Sequence, residues 1–166
     1  MSNLTMRPAT RADLPAIEHL LSKSYGRLLA QDYPPSVMVT AVPLISRAQP
    51  KLVASGTYYM VFRDHDLLAV GGWTRATPHG QWGDNTLGHV RHVATDPGAT
   101  RQGAATALLR RCQDEARAAG LSGLHCMSTR TAEPFYRALG FAVLGAREIA
   151  LGQGILFPAV EMVWHP

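Results

Sequence analysis

The residues whose types and spacing point most clearly to a chemical role lie in the stretch 90–109, VRHVATDPGATRQGAATALL. A β-rich segment runs into a turn at Asp96-Pro97-Gly98, and small residues around Gly103 then open an apolar helical pattern. The first N–H groups of a helix have no intrahelical partner and lie at the positive end of its dipole. Because Gly103 and its alanine neighbours allow close approach to the backbone, we expect a pyrophosphate to bind at this turn.

The spacing of residues around Gly103 limits which pyrophosphate-containing ligands are expected to bind. The turn lacks the G-x-x-x-x-G-K-[ST] pattern, because no lysine follows Gly103. It also lacks the G-x-G-x-x-G pattern of dinucleotide-binding folds. The sequence therefore argues against a nucleoside triphosphate or a dinucleotide as the ligand.

Two motifs together point to a family. Residues 100–105, TRQGAA, resemble motif A of the GNAT superfamily of acetyl-CoA-dependent N-acetyltransferases, [RQ]-x-x-G-x-[GA], with Gly103 and Ala105 at the fourth and sixth places and Thr100 at the first. Residues 128–141, STRTAEPFYRALGF, resemble motif B of the same family, and Thr129 stands where an asparagine is common. The two motifs are about 30 residues apart, as in the family.

This resemblance implies transfer of an acetyl group from acetyl-CoA to a primary amine, by direct attack in a ternary complex. It implies that the pantetheine arm lies along the central strand, where the N–H of Val93 would donate to the thioester oxygen. It also implies that Tyr136 protonates the departing thiolate of CoA. The residues expected to bind the cofactor are Val93, Ala94, Thr95, Arg101, Gln102, Gly103, Ala104, Ala105, Thr106, Thr129, Ala132 and Tyr136.

The acceptor side carries fewer signals. Arg91 occupies about the place where many relatives carry a glutamate, and an arginine cannot act as a base but can bind a carboxylate. Strand alternation puts His89 on the face of Arg91 and His92 on the opposite face. Glu161 is a further candidate for the base. Trp73 and Trp82 flank a polar loop and are candidates for an acceptor pocket, with packing in the core as the alternative.

Composition sets the remaining expectations. The 166 residues predict one domain spanning 1–166, and no apolar run approaches the length that spans a bilayer. The N-terminus lacks the apolar segment of a signal peptide, so a cytoplasmic location is the default. Cys112 and Cys126 form no disulfide or zinc pattern, and the seven histidines show no metal-binding spacing. We therefore expect no metal.

The charge distribution bears on partners. The formal net charge is +4, but Lys23 and Lys51 are the only lysines and the arginines are dispersed. Nucleic-acid binding requires clustered basic residues, so we expect no nucleic-acid partner and no membrane. We expect a small-molecule or peptide amine as the acceptor. Members of the family often form homodimers, although no feature of this sequence fixes the oligomeric state. Two alternatives remain: a non-catalytic acyl-CoA-binding or regulatory module on the same fold, and a small basic nucleic-acid-binding protein.

The elements that must position these residues follow from periodicity and turn residues. We expect an α/β (α+β) fold with a mixed, mostly antiparallel central sheet flanked by helices. Asp13 is predicted to cap the first helix, with Pro15 in its first turn. Pro158 predicts an edge or a bulge in the last strand. The expected strands are 4–8, 58–63, 67–73, 90–95, 124–127, 142–151 and 156–164, and the clearest helices are 103–119 and 131–139.

Overall fold

The computed structural model describes residues 3–75 and 86–166 of the chain. Its strands are β1 (Leu4–Pro8), β2 (Tyr58–Arg63), β3 (Asp66–Thr74), β4 (Leu87–Thr95), β5 (Gly123–Ser128), β6 (Ala142–Ala150) and β7 (Leu156–Trp164). Its α-helices are α1 (Leu14–Leu28), α2 (Pro35–Thr40), α3 (Val42–Ile45), α4 (Pro50–Val53), α5 (Ala104–Ala118) and α6 (Glu133–Ala138). No helix in these ranges is both long and apolar enough to cross a membrane.

The strands form one seven-stranded sheet in the order β1-β2-β3-β4-β5-β7-β6. All neighbours are antiparallel except β4 and β5, which run parallel. Helices cover both faces of the sheet, which confirms the predicted fold class.

Two hydrophobic cores lie on the two faces of the sheet. One core contains α5, whose Leu108, Leu109, Cys112 and Ala116 are fully buried along one stripe. The other core contains α1 and the short helices that follow it, with Ile17 and Leu21 fully buried. Burial of these apolar stripes supplies the main driving force that fixes each helix against the sheet.

The start of α1 differs in one respect from the prediction. The helix begins at Leu14 with Pro15 in its first turn, as expected, but the Asp13 side chain makes no capping hydrogen bond to it. The carboxylate instead accepts two hydrogen bonds of 2.8 Å from Arg7 and one of 2.8 Å from the N–H of Thr10. These donors hold the pKa of Asp13 well below its usual value. Asp13 thus joins β1 to the turn before α1.

Pro158 does not mark an edge strand, because β7 lies between β5 and β6. The prediction of an edge strand or a bulge is therefore wrong for β7, since Pro158 also pairs in continuous register with Glu148 of β6. On the other side the pairing of β7 with β5 ends at Val160, and the Pro158 carbonyl accepts a 2.7 Å hydrogen bond from the Tyr33 hydroxyl. The missing N–H of Pro158 therefore costs no ladder hydrogen bond there.

A β-bulge interrupts β4 at His92. Val70 pairs with Ala94 and Gly72 pairs with Arg91, so two residues of β4 face one residue of β3. His92 adopts a φ of +54°, which is uncommon for a residue other than glycine. The extra residue shifts the alternation of side chains, because Val90 and Val93 both pack on the α5 side although they are three residues apart.

Gly72 provides a test of the sheet next to this bulge. A Cβ at Gly72 would lie 2.0 Å from the Thr57 carbonyl oxygen, so Gly72→Ala must displace backbone. We expect Gly72→Ala to lower the free energy of unfolding by about 1–3 kcal/mol in urea denaturation. Gly26→Ala is the control, because that position is helical with nothing within 4 Å, and it should raise stability by about 0.5–1 kcal/mol. Equal stability of the two variants would contradict this account of the sheet.

Candidate functional site

A cleft opens where β4 and β5 diverge. The two strands pair only from Leu87 to His89 against Gly123 to His125, and beyond these residues they separate. The cleft has a volume of about 700 Å³. Its walls come from β4, the turn before α5, the segment leading into α6, and α1. Among the lining residues are Tyr25, Val93, Ala94, Thr95, Arg101, Gln102, Gly103, Ala104, Ala105, Thr106, Thr129, Thr131, Ala132 and Tyr136.

The turn before α5 has the geometry of an anion site. Gly103 is the N-cap with a φ of +87°, and nothing lies within 4 Å of the position of a Cβ there. Arg101 also has a positive φ, +62°. The N–H groups at the start of this 15-residue helix face the cleft mouth together with its positive dipole end. These features fit the pyrophosphate of a coenzyme A molecule.

Side chains from other elements hold this turn in place. Asp96 caps the turn by accepting a 2.7 Å hydrogen bond from the Gly98 N–H. Lys23 of α1 forms an ion pair of 2.7 Å with Asp96, and this contact lowers the pKa of the carboxyl. Arg63 at the end of β2 donates to the Gln102 side chain. The turn is therefore anchored to α1 and to β2.

Two tyrosines fix the backbone of the bulge. The Tyr25 hydroxyl donates to the Val93 carbonyl at 3.0 Å, and the Tyr58 hydroxyl donates to the His92 carbonyl at 2.9 Å. Burial raises the pKa of both phenols, so both stay protonated and keep donating. The peptide that carries the Val93 N–H is thus held rigidly beside the cleft.

Tyr136 of α6 is one of the residues that line the cleft. It is 4% exposed, and its ring packs between Phe135 and Phe141. Its hydroxyl is beside the Cys126 thiol on β5, and burial raises the pKa of the phenol well above its usual value. Burial also raises the pKa of the Cys126 thiol to about 12. Both groups therefore keep their protons at neutral pH.

The segment before α6 contributes backbone order and one unused hydroxyl. Thr129 Oγ1 accepts a 3.1 Å hydrogen bond from the Ala132 N–H, as a short capping side chain does. Among the residues that the structure describes, Thr131 Oγ1 is the buried side-chain polar atom without a hydrogen-bond partner. A buried hydroxyl without a partner is costly, and a polar group of a bound cofactor would relieve that cost.

Arg91 and His92 both reach the region of α3 and α4. Arg91 donates to Gln49 Oε1 at 3.1 Å, and His92 Nε2 donates to the Ile45 carbonyl at 2.6 Å. The expectation that these side chains lie on opposite faces is therefore wrong. The bulge at His92 is the reason, because simple alternation assumes a regular strand.

Of the other predicted acceptor residues, His89 shares the face of Arg91, whereas Trp73 does not. His89 is 5% exposed and contacts His125 of β5. Trp73 is buried on the α5 side of the sheet, where its Nε1–H donates to Glu115 at 2.9 Å. The structure therefore does not bring Trp73 together with Arg91, because it lies on the opposite face. Trp82 falls outside the described residues.

Sequence reasoning missed three supporting features: the Tyr25 and Tyr58 hydroxyls, the Lys23–Asp96 ion pair, and the contact between His125 and Glu161. Each joins residues that are far apart in the sequence, so no local spacing reveals it. The one available signal was the number of polar residues on otherwise apolar strands, notably His89, His125 and Glu161.

With this geometry established, comparison with known proteins identifies the family. Residues 30–164 match the family model described as an acetyltransferase (GNAT) domain. The chain therefore belongs to the GNAT superfamily of acetyl-CoA-dependent acetyltransferases, which confirms the family predicted from the two motifs. Comparison with curated proteins gives no match.

Several solved structures share the fold over almost the whole chain. A GCN5-related N-acetyltransferase from Rhodopseudomonas palustris is 16% identical with a TM-score of 0.81, covering 100% of this chain and 98% of that one. The PaiA N-acetyltransferase from Thermoplasma acidophilum, in complex with coenzyme A, is 12% identical with a TM-score of 0.72, covering 99% of each chain. The ribosomal-protein-S18-alanine N-acetyltransferase from Escherichia coli is 19% identical with a TM-score of 0.62, covering 98% and 94%. At these identities the likeness is one of fold.

The two ends of α5 offer a matched test of the anion site. Gly103 and Gly120 both have positive φ and open space around them, at the start and just past the end of the same helix. We expect Gly103→Glu to weaken coenzyme A binding by more than about tenfold, because bulk and negative charge enter the phosphate turn. Gly120→Glu imposes similar backbone strain and should leave affinity nearly unchanged. Calorimetric titration of both variants is the measurement, and equal affinities would contradict the site.

Proposed function

We propose that this protein transfers the acetyl group of acetyl-CoA to a primary amine by direct attack in a ternary complex. The observation that carries the proposal is the cleft between β4 and β5. Val93 on β4, the Gly103 turn and Tyr136 all line it. A phosphate-binding turn, a fixed backbone segment and a protonated phenol in one cleft are the groups that acyl transfer from a thioester requires.

The cofactor side of the proposal uses backbone groups. The pyrophosphate would accept hydrogen bonds from the N–H groups between Arg101 and Thr106, and the pantetheine arm would follow Val93, Ala94 and Thr95. Thr129 and Ala132 would border the same arm from the other wall. When bound, acetyl-CoA supplies an activated acetyl group whose leaving group is a thiolate.

Two groups of the chain would act on the reacting atoms. The Val93 N–H would stabilise the negative charge that develops on the carbonyl oxygen, and loss of one such donor costs about 2.7–4 kcal/mol in other acyl-transfer enzymes. The Tyr136 hydroxyl would donate its proton to the departing thiolate. A buried phenol suits this role because it is protonated at neutral pH and can donate, whereas a thiol has an ordinary pKa of about 8.5.

Arg91 is proposed to bind a carboxylate of the acceptor. Its guanidinium is half-buried, and the partners that the described residues give it are the neutral side chains of Thr74 and Gln49. Burial lowers the pKa of Arg91, but from so high a value that the group stays charged. A half-buried cation with neutral partners gains from an anionic ligand, and a guanidinium binds carboxylates in a bidentate manner.

A non-catalytic acyl-CoA-binding module on the same fold is the second candidate. It is favoured by Arg91, where many relatives carry a glutamate, and by Thr100 at the first place of motif A. Turnover separates the two candidates. Wild-type protein with acetyl-CoA and a panel of primary amines should release free thiol above the rate without amine. Coenzyme A binding without thiol release for any amine would favour the binding module.

Tyr136→Phe tests the proposed acid. Removing one hydroxyl preserves the packed ring, so we expect kcat to fall by about 10²-fold while coenzyme A affinity changes little. Tyr59→Phe is the control, because it removes a hydroxyl that contacts Glu115 away from the cleft. Steady-state thiol release measures both variants, and unchanged kcat in Tyr136→Phe would remove Tyr136 from this role.

Arg91→Gln tests the acceptor carboxylate. For amines that carry a carboxylate, we expect kcat/KM to fall by about tenfold or more, through KM, because one charged hydrogen-bond pair is lost. For the corresponding amides, which have no carboxylate, the variant should match the wild type. Arg91→Lys should recover only part of the loss, because an ammonium lacks the planar fork. Equal losses for acids and amides would contradict the assignment.

A further inference from the structure

A row of four polar side chains in contact begins at the vertex of the cleft, the point where β4 and β5 stop pairing. His89 and His125 are the last paired residues before β4 and β5 diverge, and their Nδ1 atoms are 3.3 Å apart. His125 Nε2 lies 2.7 Å from Glu161 Oε2 on β7. Arg147 Nε on β6 lies 3.0 Å from Glu161 Oε1. The four residues thus connect four strands across one face of the sheet.

This row of side chains lies on the face of the sheet opposite α5. Leu124 and Cys126, on either side of His125, belong to the core on the α5 side, and so does Met162 next to Glu161. Because side chains alternate along a strand, His125 and Glu161 point to the other face. Arg91, proposed above to bind the acceptor, is two residues from His89 with the bulge beyond it. The row of side chains is therefore on the side of the sheet where the acceptor is proposed to bind.

The hydrogen bonds determine which nitrogens carry protons. The Glu161 carboxylate only accepts, so His125 donates through Nε2–H. A neutral His125 then has an unprotonated Nδ1, and the proton in the Nδ1–Nδ1 contact must come from His89. His89 is consequently left with an unprotonated Nε2, which is a free basic site. This tautomer is the one that a general base needs.

We propose that His89, His125 and Glu161 form a proton relay that deprotonates the acceptor amine, an inference that rests on the function proposed above. A proton leaves the acceptor ammonium and, directly or through one water, reaches His89 Nε2. The proton on His89 Nδ1 moves to His125 Nδ1, which makes His125 an imidazolium beside the Glu161 carboxylate. The acceptor becomes a neutral amine, and no proton is gained or lost overall.

The relay explains how His89 can act as a base although its surroundings disfavour a positive charge on its ring. Burial, followed by the nearby His125 and Arg91, lowers the pKa of His89 to about 4, so this residue holds a positive charge poorly. Passing the charge to His125 places it 2.7 Å from a carboxylate instead. Glu161 is faced by His125 from β5 and by Arg147 from β6, and His89 is faced by Arg91 and His125. In this relay His125 and Glu161 are positioning residues.

Nitrogen-15 NMR of histidine-labelled protein tests the relay without turnover, with His89→Gln and His125→Gln used for assignment. In the wild type we expect His89 as the neutral Nδ1–H tautomer from pH 8 to about pH 5, and His125 protonated at Nε2. In Glu161→Gln, the new amide oxygen should accept the hydrogen bond from Arg147, which turns the amide NH₂ toward His125. His125 Nε2 must then accept a hydrogen bond instead of donating one. Both tautomers should therefore reverse. A wild-type His89 protonated at Nε2, or unchanged tautomers in Glu161→Gln, would overturn the proposal.

Kinetics with the best amine of the panel provide the second test. We expect Glu161→Gln and His89→Gln to lower kcat by more than about tenfold at pH 7, with unchanged coenzyme A affinity. The loss should shrink above the pKa of the ammonium, where the amine arrives already neutral. Glu148→Gln, an exposed carboxylate on β6, is the control and should match the wild type.

These outcomes separate the relay from the function on which it rests. A wild type that acetylates amines while both relay variants keep full kcat at pH 7 would overturn the relay alone. A loss that is equal at every pH would do the same, because it would indicate a structural role. A wild type that acetylates no amine would count against the proposed function, and the tautomers would still decide whether the hydrogen-bond chain is arranged as the relay needs.

Discussion

The divergence of β4 from β5 is the constraint on which the rest of the site depends. In a regular parallel pair, the strands would continue to satisfy each other's backbone groups, and no cleft would form. Here pairing stops at His89 and His125, and a bulge at His92 reorients the strand three residues later. The hydroxyls of Tyr25 and Tyr58 hold the backbone of this bulge in place, because they donate hydrogen bonds to its carbonyls. The sheet therefore keeps an opening without leaving the strand mobile.

In the proposed function, the same opening divides the chemistry between two sides. The wall formed by the Gly103 turn presents backbone N–H groups and suits a phosphate-bearing ligand. The opposite face, beyond the vertex, carries Arg91 and the chain of His89, His125 and Glu161. A thioester held from the first side and an amine held from the second would meet near Val93 and Tyr136. On this proposal, the recognisable motifs describe only the cofactor half, because the proposed acceptor half consists of single side chains on separate strands.

The sequence predicted most of the local elements and the sheet class, because these depend on periodicity, glycine and proline within a few residues. The helix after Gly103 and the hairpin of β2 and β3 are examples. The face of His92 on β4 was mispredicted, because the residue types give no sign of its positive φ, whereas the shared face of His89 and Arg91 was predicted from strand alternation. Trp73 was ambiguous for a related reason: β3 is buried on both faces, so its apolar run carries no alternation. The residues of motifs A and B line one cleft, whereas their catalytic roles stay predictions.

The central claim is that the cleft binds acetyl-CoA through the Gly103 turn. Calorimetric titration with acetyl-CoA tests it most directly, with desulfo-CoA and ATP as comparators. Desulfo-CoA retains the pyrophosphate and the pantetheine arm, whereas ATP offers phosphates without that arm. The account predicts binding of acetyl-CoA and desulfo-CoA with no measurable binding of ATP. Absence of acetyl-CoA binding, or equal affinity for ATP, would contradict it.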